Sequence, residues 1–156
     1  MDMSALDRFL QYVTFETTSE EENDACPSTA VQLVLADHLV KELLSVGVSD
    51  AMRDENGYVY GHIPATAGCA GLPKIGLIAH MDTSPDVSGK NVCPRIVTFD
   101  GSNLPMVDKQ YIGREMVVSD QTTLLGADDK AGVAEIVELC ALLCGDTTVR
   151  HGEICV

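Results

Sequence analysis

The sequence is poor in basic residues. Its 156 residues contain 10 lysines and arginines against 24 aspartates and glutamates, which gives a formal net charge of −14. A surface this acidic repels the phosphates of nucleic acids and the headgroups of anionic membranes. The composition therefore argues against nucleic acid and membrane as partners, and it favours metal ions and positively charged peptide termini.

Long apolar stretches are also lacking. No run approaches the roughly 20 apolar residues that a membrane-spanning helix needs, and no basic, apolar leader precedes Asp2 and Asp7. The six cysteines are scattered, so we expect reduced thiols in a cytoplasmic protein in preference to a secreted disulfide framework. Cys140 and Cys144 share one helix face, where core packing is favoured over a metal pair because no other ligand type lies nearby.

The chain is long enough for one ordinary domain with its own core. Apolar residues recur at helical spacing in two early segments. Ser4 is the predicted N-cap of the first helix, which runs to about Phe15. Ser28 is the predicted N-cap of the second, which runs to about Val46 before Gly47.

Two histidines in this part of the chain have ordinary predicted roles. His38 falls on the polar face of the second helix, which predicts a solvated side chain. Residues 48–53 and 58–63 flank an Asn-Gly turn and predict a hairpin. His62 lies in its second strand, where a pairing or surface role is expected.

The following segments predict an α/β fold. Residues 74–79 are apolar without alternation, as in a strand that is covered on both faces. Residues 87–119 are irregular, with short strands at 95–99 and 116–118. A helix then opens with Asp128 and ends at Gly145, and residues 153–156 begin another buried strand. We predict a mixed, largely parallel sheet flanked by helices and incomplete at the C-terminus.

Polar residues follow the predicted strand 74–79, where open α/β sheets usually place their sites. His80 and Asp82 are two residues apart, so an extended chain turns both to the same side. A neutral imidazole ligates divalent ions, and a carboxylate can hold its other ring nitrogen. The alternative is a histidine satisfied by the backbone beside an ordinary turn aspartate.

A pair of carboxylates, Asp128 and Asp129, opens the late helix. Carboxylates in a first turn are favoured by the helix dipole alone. The segment Leu125-Gly126-Ala127, which contains two small residues, is expected to bring them to the same sheet edge as His80, where one carboxylate could bridge two metal ions. Lys130 follows directly and could offset the local negative charge.

Two longer motifs point to a particular protein family. Residues 80–92 read HMDTSPDVSGKNV and residues 123–132 read TLLGADDKAG. Both resemble the peptidase T family, which are cytosolic tripeptide aminopeptidases in a clan of co-catalytic zinc peptidases. The resemblance runs from the first helix to the last residue and includes residues 27–29 and 151–154.

The resemblance implies a role for each candidate residue. His80 would be a ligand of one zinc, Asp82 a catalytic residue that orients His80, and Asp128 the carboxylate that bridges two zincs. Asp128 is preferred over Asp129 because relatives with a single aspartate keep it two residues before the lysine. The implied reaction is attack of a zinc-activated water on the first peptide bond of a tripeptide.

The sequence also departs from the family pattern. The family has a Glu-Glu pair, an aspartate and a histidine that complete the site, and an inserted dimerisation and lid domain. None of these positions lies within the 156 residues. We therefore expect residues 1–156 to be the N-terminal part of the catalytic domain, inactive alone, with a homodimer only in the full-length form.

Two other functions remain open from the residues. A receiver-like signalling domain also holds Mg²⁺ with paired aspartates near a lysine, but its aspartate pair follows the first strand, whereas Asp128 comes late in this chain. The other alternative is a non-catalytic metal-binding fragment or assembly module.

Overall fold

The computed structural model describes residues 3–156, so Met1 and Asp2 lie outside it. The elements in chain order are α1 (Ala5–Tyr12), α2 (Gln32–Val46), β1 (Met52–Arg53), β2 (Val59–Tyr60), β3 (His62–Ile63), β4 (Ile75–Gly76), β5 (Arg95–Thr98), a 3₁₀ turn (Lys109–Tyr111), β6 (Glu115–Val118), α3 (Ala127–Gly145) and β7 (Ile154–Cys155).

The site is positioned by a three-stranded sheet in the order β3, β7, β4. β7 pairs antiparallel with β3 and parallel with β4, with Ile154 opposite both Ile63 and Ile75. The predicted mixed α/β class is confirmed, and the central sheet has one parallel and one antiparallel ladder. The buried strand expected at the end of the chain is β7, in the middle of this sheet.

β4 differs from the sequence expectation. The strand was predicted to be covered on both faces, yet Ile75 is 52% exposed and Ile78 is 95% exposed. β4 is an edge strand of the sheet, and within residues 3–156 no element covers these two side chains. An apolar run alone does not reveal which part of the chain covers it.

The helix α1 begins as predicted. The Ser4 hydroxyl accepts from the backbone N–H of Asp7, whose carboxylate accepts from the N–H of Ser4, and this reciprocal pair is a capping box. The helix ends at Tyr12, earlier than expected, because the N–H groups of Thr14 and Phe15 bond three residues back in tighter turns.

The helix α2 ends as predicted and begins late. Gly47 adopts φ +112° and terminates it in the left-handed conformation. Its start at Gln32 corrects the prediction that Ser28 is the N-cap. Residues 29–31 make turns instead, and the Ser28 hydroxyl accepts from the N–H of Glu20.

The predicted hairpin is confirmed in shorter form as β1 and β2, with Gly57 at φ +90° in its turn. His62 lies in β3, and its ring is 2.8 Å from the Asp50 carboxylate. His38 is not the solvated residue that was predicted. Its ring packs on those of Tyr12 and Phe15 at centroid distances of 5.9 and 5.1 Å.

The strands predicted within residues 87–119 are present and pair with each other. β5 and β6 form an antiparallel ladder with Arg95 opposite Val118. The irregular region is therefore organised around a long-loop hairpin outside the central sheet.

One apolar core joins the sheet to the three helices. Its buried members come from α1, α2, α3, β3, β7 and residues 48–51; they are Tyr12, Leu35, Leu39, Leu43, Val48, Ala51, Ile63, Val133, Ala134, Val137, Cys140 and Ile154. No helix among residues 3–156 combines the length and apolar character that crossing a bilayer requires. In that same range none of the six cysteines is in a disulfide.

The cysteines are expected to differ in reactivity. Cys140 is 1% exposed, and burial raises the pKa of its thiol to about 11. Cys26 and Cys93 are exposed. A pKa about two units higher leaves about a hundredfold less thiolate at neutral pH. We expect iodoacetamide to label Cys26 and Cys93 in the native chain and Cys140 only after unfolding, as read by peptide mass spectrometry. Labelling of Cys140 at the rate of Cys26 would contradict this packing.

Candidate functional site

The site begins where the chain leaves β4. The ring nitrogen Nδ1 of His80 lies 3.1 Å from Oδ1 of Asp82 and 3.2 Å from its backbone oxygen. The structure therefore brings these two residues together, as the spacing predicts. Both side chains remain accessible, with His80 54% and Asp82 41% exposed.

The third predicted residue reaches the same place from α3. Oδ1 of Asp128 is 3.0 Å from Nε2 of His80, and the Asp128 side chain is 96% exposed. Asp128 and Asp129 have non-helical backbone angles, and the peptide bond between them is cis. The regular helix starts at Lys130. His80 thus has one carboxylate at each ring nitrogen.

Asp129 lies in a different environment from Asp128. Its Oδ1 accepts a hydrogen bond of 3.2 Å from the backbone N–H of Gly132. This contact satisfies one of the unpaired donors at the start of the helix. A Cβ at Gly132 would lie 2.5 Å from the same oxygen, so a larger residue there would displace the Asp129 carboxylate from this position. The two neighbouring carboxylates therefore diverge, one toward His80 and one into the helix start.

The two carboxylates also affect the charge of His80. Partial burial lowers the pKa of the imidazole, but the hydrogen bond to Asp128 and the charge and hydrogen bonds of Asp82 outweigh it, so that the pKa is raised overall. A cation in place of the ring proton would benefit from the same two negative charges.

Lys130 does not lie where the sequence suggested. Its side chain is buried, 1% exposed, and its Nζ donates a 2.8 Å hydrogen bond to the backbone oxygen of Phe15. Burial lowers the pKa of this ammonium group to about 8. The helical spacing that places Lys130 on the same face as Val133 and Val137 could have indicated this burial.

The sequence analysis also missed the residues behind His80. Thr17 and Thr83 are 0% and 3% exposed, and their segments form an isolated parallel bridge through Thr18 and Thr83. Thr83 lies inside the first motif, and this position was the only feature of the sequence that could have indicated its importance. The bridge attaches residues 80–83, the polar segment that follows β4, to the linker between α1 and α2.

The donor atoms present match a metal site in kind and fall short in number. His80 Nε2 and Asp128 Oδ1 are a nitrogen and an oxygen of the types that zinc accepts. Catalytic zinc usually has three protein ligands, and among residues 3–156 no group of three or more His, Cys, Asp or Glu side chains is arranged to hold an ion. The described residues therefore supply part of a ligand set.

Solved peptidases share this fold. The chain superposes over 97% of its length on 34% of aminopeptidase PepT from Bacillus cereus, with a TM-score of 0.65 and 25% identity. A tripeptidase from Staphylococcus aureus matches over 97% of the chain and 34% of its own, with a TM-score of 0.64 and 24% identity. An aminoacylhistidine dipeptidase from Vibrio alginolyticus matches at 0.60 and 22% identity, over 97% of this chain and 26% of that one. The fold is that of this class of peptidases.

Curated relatives define the family more closely. The chain is 45% identical over 97% of its length to peptidase T of Parabacteroides distasonis, and 45% identical over 98% to peptidase T of Desulfitobacterium hafniense. It spans 41% and 40% of the length of these two proteins. No family model matches the sequence. The chain is thus a relative of peptidase T, and the resemblance inferred from its two motifs is confirmed.

Proposed function

We propose that residues 1–156 form part of the catalytic domain of a zinc-dependent aminopeptidase that releases the N-terminal residue from tripeptides in the cytoplasm. The observation that carries this proposal is the arrangement of His80 between Asp82 and Asp128. This arrangement occurs in a chain that is 45% identical to peptidase T over nearly its whole length. The relatives' extra length would hold the remaining ligands and the dimer contacts.

Each of the three residues has a distinct proposed role. Asp82 holds Nδ1 of His80, which fixes the ring and leaves Nε2 as the ligand atom. Nε2 of His80 and Oδ1 of Asp128, 3.0 Å apart, are the atoms that would hold the metal. When bound, zinc would polarise the peptide carbonyl and lower the pKa of a water molecule.

The electrostatic character of the chain agrees with such a substrate. A tripeptide carries a positively charged amino terminus, and the chain has a net charge of −14. This acidic field attracts the amino terminus as well as the metal ions. The same field disfavours polyanionic substrates.

The proposal is tested by comparing the chain alone with a chimera. In the chimera, residues 1–156 replace the matching part of the Parabacteroides distasonis peptidase T. With added Zn²⁺, we expect the chimera to release the N-terminal residue of a tripeptide and the chain alone to release none, because two donors do not complete a catalytic zinc site. Chromatography of the released amino acid measures both.

The proposed function and the expected inactivity of the chain alone are contradicted by different results. A chimera that melts cooperatively and does not cleave tripeptides would contradict the proposed function. Turnover by the chain alone that is lost in His80→Ala would contradict the expected inactivity of these residues by themselves.

A further inference from the structure

A buried cation lies behind the candidate site. The Lys130 side chain is 1% exposed, and its Nζ donates a hydrogen bond to the backbone oxygen of Phe15. Among the described residues no carboxylate pairs with it. A buried ammonium group without a counterion is unfavourable, and an apolar side chain of similar length would fill the same space. Packing alone therefore does not explain a lysine at position 130.

The segment held by Lys130, residues 15–19, contacts Thr83 in the polar segment that follows β4. The N–H of Thr83 donates to the backbone oxygen of Thr17 at 3.1 Å, and the N–H of Ser19 donates to the backbone oxygen of Thr83 at 3.0 Å. The Ser19 hydroxyl donates to that same oxygen at 3.0 Å. Residues 15–19 therefore fix the backbone just beyond His80.

These contacts form a closed circuit, the contact ring, which returns to Lys130. Gly126 packs against the Thr83 methyl group, where a Cβ at Gly126 would lie 3.1 Å away. Two residues later, Asp128 meets His80 at 3.0 Å. The ring runs from Lys130 to residues 15–19, then to residues 80–83, and returns through residues 126–128.

We propose that Lys130 is a positioning residue for the metal ligands. Its hydrogen bond to the Phe15 carbonyl fixes residues 15–19, which hold Thr83 and thereby set the separation of His80 and Asp128. This inference rests on the proposed metal-binding function. It differs from a role in which Lys130 merely offsets negative charge.

The two roles predict opposite effects of Lys130→Met. Removing a positive charge near a cation site should raise cation affinity if charge alone matters. Loss of positioning should lower the cation affinity by about tenfold, because residues that orient metal ligands commonly contribute that much. The probe is Mn²⁺ alone. Its affinity is measured from the paramagnetic broadening of the backbone amide signals of residues 80–83 and 128 in the 156-residue chain.

The matched control is Lys90→Met. It removes the same charge from an exposed lysine whose ion pair with Glu16, in residues 15–19, is long at 3.9 Å and solvent-exposed, so that it contributes little to fixing that segment. We expect its Mn²⁺ affinity to equal or slightly exceed that of the wild type. Affinity that rises in Lys130→Met, as in this control, overturns the positioning role.

A second measurement does not depend on metal. In Lys130→Met we expect the amide protons of Ser19 and Thr83 to exchange with solvent about tenfold faster, because the segment that holds them has lost a charged hydrogen bond. Exchange within α2 should not change. Unchanged exchange at Ser19 and Thr83 overturns the proposal. If the wild type binds no Mn²⁺, the metal assignment fails, and the exchange rates still decide the role of Lys130.

Ser19→Ala tests another link of the ring should Lys130→Met fail to fold, as judged by thermal melting. It removes the hydroxyl bond to the Thr83 carbonyl and leaves α3 intact. We expect a smaller change in the same direction, with Mn²⁺ affinity lower by about threefold and faster exchange at Thr83. Wild-type affinity and exchange in Ser19→Ala overturn the proposal.

Discussion

His80→Ala is expected to remove Mn²⁺ binding at the candidate site and to lower tripeptide hydrolysis by the chimera at least about a thousandfold. Among residues 3–156, His80 Nε2 and Asp128 Oδ1 are the two proposed ligand atoms that approach each other at this site. Without His80, the Asp128 carboxylate is a single exposed ligand. A catalytic metal contributes several kcal/mol to transition-state stabilisation, and each 1.36 kcal/mol is about tenfold in rate. Amide broadening measures the binding and release of the N-terminal residue measures the rate.

His62→Ala is the matched control for that substitution. His62 is also a half-exposed histidine with an aspartate at Nδ1, in this case Asp50 at 2.8 Å. We expect its removal to leave Mn²⁺ broadening at residues 80–83 and hydrolysis by the chimera unchanged. Equal losses from His62→Ala and His80→Ala would contradict the assignment of the site.

The neighbouring aspartates allow a second comparison within the same prediction. Asp128→Asn should weaken Mn²⁺ binding strongly, because it removes the negative charge beside Nε2 of His80. Asp129→Asn should keep the binding, since that carboxylate bonds the Gly132 amide at the helix start. It should lower the free energy of unfolding by about 1 kcal/mol or less. The reverse order would assign the ligand to Asp129.

The sequence was sufficient to predict the proximity of His80 and Asp82 because the pattern there is local. Extended backbone places residues i and i+2 on one side, and His80 and Asp82 follow that rule. The approach of Asp128 is a tertiary contact, 48 residues away in sequence. It was predictable only through the sheet-edge rule and the two family motifs, since no local pattern connects them.

Tertiary packing explains the features that the sequence did not predict. Ile78 belongs to an apolar run, yet it is 95% exposed, because hydrophobicity does not specify what covers a strand. His38 lies on the polar side of α2 by periodicity, yet the rings of Tyr12 and Phe15 pack on it. Lys130 was placed beside the carboxylates by adjacency, whereas its long side chain reaches Phe15. In each case the partner comes from another segment.

Substitution of Arg8 is expected to have the largest effect on the free energy of unfolding. The Arg8 side chain is 4% exposed, its Nε bonds the Glu42 carboxylate at 2.7 Å, and its Nη1 contacts Glu138. The Glu42 carboxylate also accepts a 2.6 Å hydrogen bond from the Tyr12 hydroxyl. Through these contacts one guanidinium joins α1, α2 and α3.

Arg8→Ala is therefore expected to lower the free energy of unfolding by about 3–5 kcal/mol, because it leaves the largely buried Glu42 carboxylate without its cation. This loss is large against the roughly 5–15 kcal/mol of a typical domain. Arg8→Lys should lose less, since it keeps the charge and loses the planar fork that serves two carboxylates. Urea denaturation followed by circular dichroism measures each variant.

Arg53→Ala is the control for burial. Arg53 makes a 2.6 Å ion pair with Asp37 at the surface, where the two side chains are 26% and 54% exposed. Solvent-exposed pairs contribute under about 1 kcal/mol, so the midpoint of unfolding should shift little. Similar midpoints for Arg8→Ala and Arg53→Ala would show that the three-helix ion network does not stabilise the domain. A selective loss in Arg8→Ala would show that the buried guanidinium joining α1, α2 and α3 stabilises the fold far more than the surface pair of Arg53 and Asp37 does.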